Sequence, residues 1–366
     1  MVTDRPGRHG ETSVPGARVV GVAETKVLFD CDTGVDDSLA LLYLLSKPEV
    51  NLLGIVSTAG NVPAPQVVDN NLGWLELLGR TDIEVFPGSD APLSTPLMTT
   101  EETHGPFGVG YAELPTPARG PSEISGAQAW SDLTRAHPGE VVALVTGPCT
   151  NLALALRDDP GILTRLRRLV IMGGVFWHPG NTTPTSEWNV AVDPESLWEV
   201  LRAYGELDGT GTPLPILCPL DLTETIELTP DHIVRLADAA GLDPAEVLNP
   251  EDPDGTRSAA SNPVVRAASD AVRFYFEFHR DHDLGYIAHM HDPFAAAVAL
   301  DPTIVETRSH PVDVELTGSL TRGTTIADVH GAWNRPDTAR IAVGTDQAAF
   351  FDDLLDSIAR LARGRD

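Results

Sequence analysis

The stretch VLFDCDTGVDDSLALLYLL, residues 27–45, decides how the chain is read. The run "KVLFD" has the pattern of a buried strand, and "DDSLALLYLLS" that of a helix entered almost at once. Between them Asp30, Asp32, Asp36 and Asp37 crowd into eight positions. A strand handing over to a helix through a short turn is the building unit of an α/β fold. In open α/β sheets, ligands lie beyond the carboxyl ends of the strands, and the acidic turn occupies that place.

Outward from this unit the alternation continues. "VNLLGIVSTAG" reads as a strand, "APQVVDNNLGWLELLG" as an amphipathic helix, and "IEVFPG" as a short strand. Residues 88–122 are rich in Gly, Pro and Thr and show no period, as expected of a functional or disordered loop. "EVVALVTG" then leads to a helix beginning near Asn151, and "RLVIMGG", "DPESLWEVLRAYG" and "LPILCPLD" read as strand, helix and strand. Residues 229–282 look mainly helical, and the end carries a strand-like "PVDVELTG" and a last helix, "DQAAFFDDLLDSIARLARG". No linker interrupts the pattern. The expectation is an α/β protein: one large Rossmann-like domain over residues 26–366, with a mainly parallel central sheet flanked by helices. Residues 1–25, polar and rich in Pro and Gly, read as a disordered tail.

Composition removes several classes of partner. With 53 acidic against 25 basic residues the formal charge is -28, a field that repels phosphate backbones and anionic lipid surfaces. No apolar run approaches membrane-spanning length, and the start has no apolar core of a signal peptide. The three cysteines, Cys31, Cys149 and Cys218, stand far apart in no zinc spacing, which suits a reduced, cytoplasmic setting.

The acidic turn has a bland reading, in which Asp36 or Asp37 caps the helix and favours its positive dipole end. That accounts for one or two carboxylates. Four of them repel and raise one another's pKa unless a cation or a proton intervenes. A hard cation with oxygen ligands, calcium foremost, fits better than zinc, because the turn has no His and its single Cys31 falls in no zinc spacing. A rival reading is a phosphotransferase of the DxDx(T/V) type with Asp30 as nucleophile, but Gly34 stands at the fifth position.

Other polar islands fall at the same edge of the alternation. Asn61 closes "STAGN", Thr146 opens "TGPCTN", and Met172 precedes Gly-Gly. "GNTTPTSEWNVAVDP" supplies Asn181, Glu187 and Asn189, while "HMHDPFAAAVAL" sets His291 and Asp292 before a helix. Singly these are turns and caps. Together they describe one concave site at the strand ends.

In this order the segments resemble the calcium-dependent nucleoside hydrolases, the inosine-uridine-preferring family, whose DxDPGxDD signature corresponds to "DCDTGVDD" here. The similarity runs from about residue 26 to the C-terminus and includes "TGPCTN", "MGG", "EWN", "HDP" and "VELTGSLTRGTT". It implies Ca2+ bound by Asp32, Asp37, the Thr146 carbonyl and Asp292. Asp36 and Asn61 would hold the 2' side of a ribose, and Asn181, Glu187, Asn189 and Met172 its 3' and 5' side. His104, in "THGPFGVG", resembles a histidine of the family's mobile loop, and His291 one that lies near the leaving base. The chain departs in three places: Thr33 replaces the usual proline, the segment from Met172 to Asn181 is one residue longer, and Trp188 stands where phenylalanine is common.

The resemblance implies cleavage of the N-glycosidic bond of ribonucleosides to base and ribose by a calcium-bound water. Asp32 would act as general base and His291 as proton donor to the base. Tyr275, His279 and His282 would line the base pocket or simply pack. The natural partner would be a small-molecule ribonucleoside, with no nucleic acid and no membrane, and the family's habit implies a homodimer or homotetramer. The alternatives are a calcium-dependent nucleoside or ribose binder without chemistry, and the phosphatase.

Overall fold

The apolar run ahead of the acidic turn becomes the strand β1, Thr25–Cys31, and it sits inside the sheet with its last five residues fully buried. The computed structural model describes residues 24–364. The proposed tail over 1–25 therefore lies almost wholly outside the described residues. Following β1 come the helix α1, Val35–Ser46, the strand β2, Val50–Ser57, the helix α2, Ala64–Leu77, and the strand β3, Val85–Pro87. The strands β4, Val141–Val145, β5, Leu166–Met172, and β6, Ile216–Cys218, complete the alternating part.

These strands lie in the order β3-β2-β1-β4-β5-β6, continued by Ala339–Thr345 and Val305–His310 to make eight. Every pairing in the sheet is parallel except that between the last two strands. Strand order reverses between β1 and β4, and a doubly wound sheet opens its ligand crevice at that point. The acidic turn follows β1, and Thr146 follows β4 directly.

Alternation along β1 divides the two cores. Val27, Phe29 and Cys31 pack on one face with α1 and α2, while Leu28 packs on the other with Trp130 and Leu152. Parallel strands covered on both faces need apolar residues at consecutive positions, which explains the continuous run. Each residue of α1 is buried, because it is wedged against the sheet and against helices His291–Leu300 and Gln347–Ala362. That accounts for a helix apolar almost all round. It also decides the site, since helices α1 and His291–Leu300 both carry aspartates in their first turns.

Two features differ from the sequence reading. "PVDVELTG" contributes only Val312–Val314, which pairs with Thr325–Ala327 in a separate antiparallel ribbon. The strands Val305–His310 and Ala339–Thr345 had no clear signal; the former, VETRSH, is a polar, largely exposed edge, where no buried face imposes a period. No helix among the described residues is long and apolar enough to cross a membrane.

Candidate active site

The turn after β1 is held in a tight conformation by its own carboxylates. Gly34 precedes α1, and its N–H donates to Asp37 Oδ2 at 2.8 Å, so the helix is capped by its own third residue. A side chain at Gly34 would place Cβ 2.7 Å from both Asn61 Nδ2 and His104 Nδ1, and one at Gly60 would meet Asp32 Oδ2 at 2.1 Å. Both glycines make room for the polar groups of the site.

Asp36, Asp37 and Asp292 are buried and offer oxygens all within 4.8 Å of one another. Thr146 donates through Oγ1 to Asp37 Oδ1 at 2.6 Å. Asp32 stands alongside: its Oδ2 accepts the Asn61 backbone N–H at 2.8 Å, and its Oδ1 is buried with no hydrogen-bond partner among the described residues. Burial, and then the charge of Asp37, pushes Asp36 up to about 8. Burial first, with neighbouring aspartates next, raises Asp32 and Asp292 well above the usual carboxylate range. Burial also raises Asp37, against the pull of Thr146 and Gly34.

This donor set fits a hard divalent cation. Four buried carboxylates, one with an unpartnered oxygen, have no Lys or Arg among them, and all the candidate ligand atoms are oxygens. The tightest trio contains Asp36 beside Asp37 and Asp292, whereas the implied ligand set had Asp32 in that position. Asp32 lies beside the same cluster, and after burial the charges of Asp37 and Asp36 raise it further. The Thr146 carbonyl accepts from Asn189 Nδ2 at 2.7 Å, which leaves it a second lone pair.

Asp30 does not join this cluster. Strand alternation turns it to the Leu28 face, where Trp130 Nε1 donates at 2.7 Å, Asn151 Nδ2 at 3.2 Å, and Thr58 through a short hydrogen bond. Burial, offset by these donors, leaves it at about 6. With both oxygens engaged and no exposure, Asp30 cannot serve as a phosphoryl acceptor, and the phosphatase reading loses its nucleophile.

A cavity of about 540 Å³ opens over the cluster. Asp36, Asn61, Thr146, Met172, Asn181, Glu187, Asn189, His104, His291 and Asp292 all line it. Asn181 is exposed at its rim, and its Oδ1 accepts from Thr182 at 3.2 Å. Glu187 caps the short helix Trp188–Val192, accepts from the N–H groups of Asn189, Val190 and Gly174, and is pushed by burial to about 7. Asn189 Nδ2 also reaches the Met172 carbonyl at 3.2 Å.

The loop at 88–122 has an ordered core. Its one-turn helix Glu101–His104 delivers His104, whose Nδ1 accepts the Val35 N–H at 3.1 Å and so satisfies a free donor at the start of α1. The ring proton therefore sits on Nε2. Burial, then His279, lowers His104 to about 3. His291 is lowered as well, by burial and then by His289, His279 and His104, and its Nδ1 lies 2.8 Å from the fully buried Thr223 hydroxyl. That hydroxyl fixes the ring's orientation.

Tyr275, His279 and His282 line the cavity, with Tyr275 buried and its ring 5.3 Å from that of His104. It packs and lines at once. The sequence reading missed Thr223, Glu224 and His178, which come from segments without a motif, and His289, which stands inside "HMHDP". The alternating "HMH" before Asp292 was the one available sign, since residues two apart share a side of extended chain.

The profile of the family described as "Inosine-uridine preferring nucleoside hydrolase" matches residues 27–352. The pyrimidine-specific ribonucleoside hydrolase RihA of Shewanella sp. (strain MR-4) is 31% identical over 334 residues, covering 91% of this chain and 96% of that protein. RihA of Salmonella newport (strain SL254) is 32% identical over 333 residues, covering 91% and 97%. Among solved structures, the purine-preferring ribonucleoside hydrolase from Gardnerella vaginalis superposes with a TM-score of 0.80 at 29% identity, covering 93% of this chain and 99% of that one. An inosine-guanosine nucleoside hydrolase gives 0.78 at 25% identity, covering 92% and 99%.

Proposed function

The chain belongs to the inosine-uridine preferring nucleoside hydrolase family and is a hydrolase of ribonucleoside N-glycosyl bonds, and from that premise we propose how its own residues carry the reaction. Asp32, Asp37, the Thr146 carbonyl and Asp292 would hold Ca2+, with Asp36 close beside them. The observation that carries this is the buried group of four carboxylates at the strand-order reversal, with Asp32 Oδ1 unpartnered. When bound, such a cation supplies Lewis-acid polarisation and an anchor for the sugar diol.

Asp32 is the general base. Its Oδ2 is fixed by Asn61 while Oδ1 stays free to take a proton from the attacking water. Asp36 and Asn61 bind the 2' side of the ribose, and Asn181, Glu187, Asn189 and Met172 its 3' and 5' side. Buried carboxylates around the sugar favour the positive charge that develops at the anomeric carbon. His291 faces the leaving base. Its lowered pKa keeps the ring neutral at ordinary pH, so its contribution there is a hydrogen bond through Nε2, with Thr223 holding Nδ1. Tyr275 and His279 close the base end and exclude water.

Residues 26–366 act as one unit on a small-molecule ribonucleoside, in the cytoplasm, as a homodimer or homotetramer; light scattering on the purified protein tests the last point. The relatives' names divide between pyrimidine and purine bases, so the decisive panel spans both. Uridine, cytidine, inosine, adenosine and guanosine are incubated with the protein, with and without chelator, and ribose release is followed. Release from at least one nucleoside, lost on chelation and restored by Ca2+, is the expected result. No release from any of them overturns the reading.

A further inference from the structure

The sugar end of the cavity offers acceptors more freely than donors. Both amide hydrogens of Asn189 Nδ2 are spent on the carbonyls of Thr146 and Met172, which leaves its Oδ1 as an acceptor. Glu187 Oε1 takes a single backbone N–H, from Asn189 at 2.8 Å, and keeps accepting capacity. Between these two residues stands Trp188. It lines the same cavity, and its indole Nε1 is buried with no hydrogen-bond partner among the described residues.

An indole nitrogen only donates, and a buried donor left without an acceptor destabilises the fold. A ligand oxygen would relieve it. We propose that the Nε1–H of Trp188 is the hydrogen-bond donor for the terminal (5') hydroxyl of the substrate's ribose, and so a specificity-determining contact of this chain. The inference rests on the nucleoside reading given above. A hydroxyl fits because it accepts and donates at once, taking the indole hydrogen and giving its own to Glu187 Oε1 or Asn189 Oδ1. A 5'-phosphate does not, since Asp36, Asp292, Glu187 and Glu224 give the cavity acidic walls. Phenylalanine at this position would keep a ring and lack the donor.

The test compares uridine with 5'-deoxyuridine, or inosine with 5'-deoxyinosine if purines are the better substrates, in the wild type and in Trp188→Phe. Alongside, calorimetry measures binding of 1,4-anhydro-D-ribitol and its 5-deoxy form, a fixed furanose without a base. In Trp188→Phe, kcat/KM for the 5'-hydroxyl substrate falls about tenfold while that for the 5'-deoxy substrate changes less than about threefold, and the two binding constants behave alike. Thermal stability is unchanged or slightly raised, because an unsatisfied donor has been removed. Equal losses on both substrates, or a variant that still discriminates as the wild type does, overturn the inference. If the wild type hydrolyses no nucleoside yet the furanose contrast appears and vanishes in Trp188→Phe, the hydrolase reading falls and this contact stands. If that contrast is missing too, both fall.

Discussion

Asp30 and Asp32 are two residues apart in sequence and live under opposite rules. Asp30 faces the core beside Trp130, with three side-chain donors on its two oxygens. Asp32 lies just beneath the cavity, beside three further carboxylates, with a single backbone donor on Oδ2 and nothing on Oδ1. The first is a buried charge whose hydrogen bonds are complete, and such groups hold structure together. The second is electrostatically frustrated, and buried groups of that kind persist where a ligand or a reaction completes them. Satisfaction of the hydrogen bonds, rather than burial or residue type, separates Asp30 from Asp32, while Asp37, bonded on both oxygens, belongs with the site through its charged neighbours.

The sharpest way to break this contrast is Asp32→Asn. Turnover of the best nucleoside should fall by about 10²–10⁴-fold, while the melting temperature stays level or rises because one repelling carboxylate is gone. A variant that unfolds instead would put Asp32 in the same class as Asp30. Asp30→Ala should do the reverse. It strands the donors of Trp130, Asn151 and Thr58, so urea unfolding should register a loss of about 2–5 kcal/mol, with kcat per folded molecule within roughly threefold of wild type.

Metal removal sharpens the comparison through pH. Asp36 rises from the ordinary 3.8 to about 8, and Asp32, Asp37 and Asp292 also rise, in the metal-free protein. A raised carboxyl value adds stability below about pH 4 that is lost as pH climbs toward about 8. The cation must displace those protons. The increase in melting temperature on adding Ca2+ to chelator-treated protein should therefore be larger at pH 8 than at pH 5 by several degrees, read by scanning calorimetry. An increment independent of pH would mean that these carboxylates do not hold the ion. The smallest expected effect is Thr223→Val, nearly isosteric, which frees His291 Nδ1. We expect about a three- to tenfold loss of kcat, greater for nucleosides with poorer leaving bases, with Tm little changed.

Much of this was legible in the chain. Asp36, Asp37 and Asp292 were readable because each falls in the first turn of a strongly apolar helix, and Thr146 because it follows a five-residue apolar strand. The edge strand VETRSH was not, since an edge open to water imposes no hydrophobic period. Thr223 and His178 were hidden for another reason. Their surroundings depend on which segments cross the cavity mouth, and no local spacing records that. Trp188 was visible as a residue, but its unpartnered nitrogen was not.

The sequence by itself determined that strands and helices alternate, that carboxylates gather at strand ends, and that a family signature runs through them, because hydrophobic period and turn chemistry are local properties. Only the tertiary structure decided which aspartate is satisfied and which is not, that Asp36 closes the trio with Asp37 and Asp292, and that His104 caps a helix 69 residues away. Those outcomes depend on the packing of α1 against helix His291–Leu300 and on the face to which each strand residue turns, and both are fixed when distant segments meet.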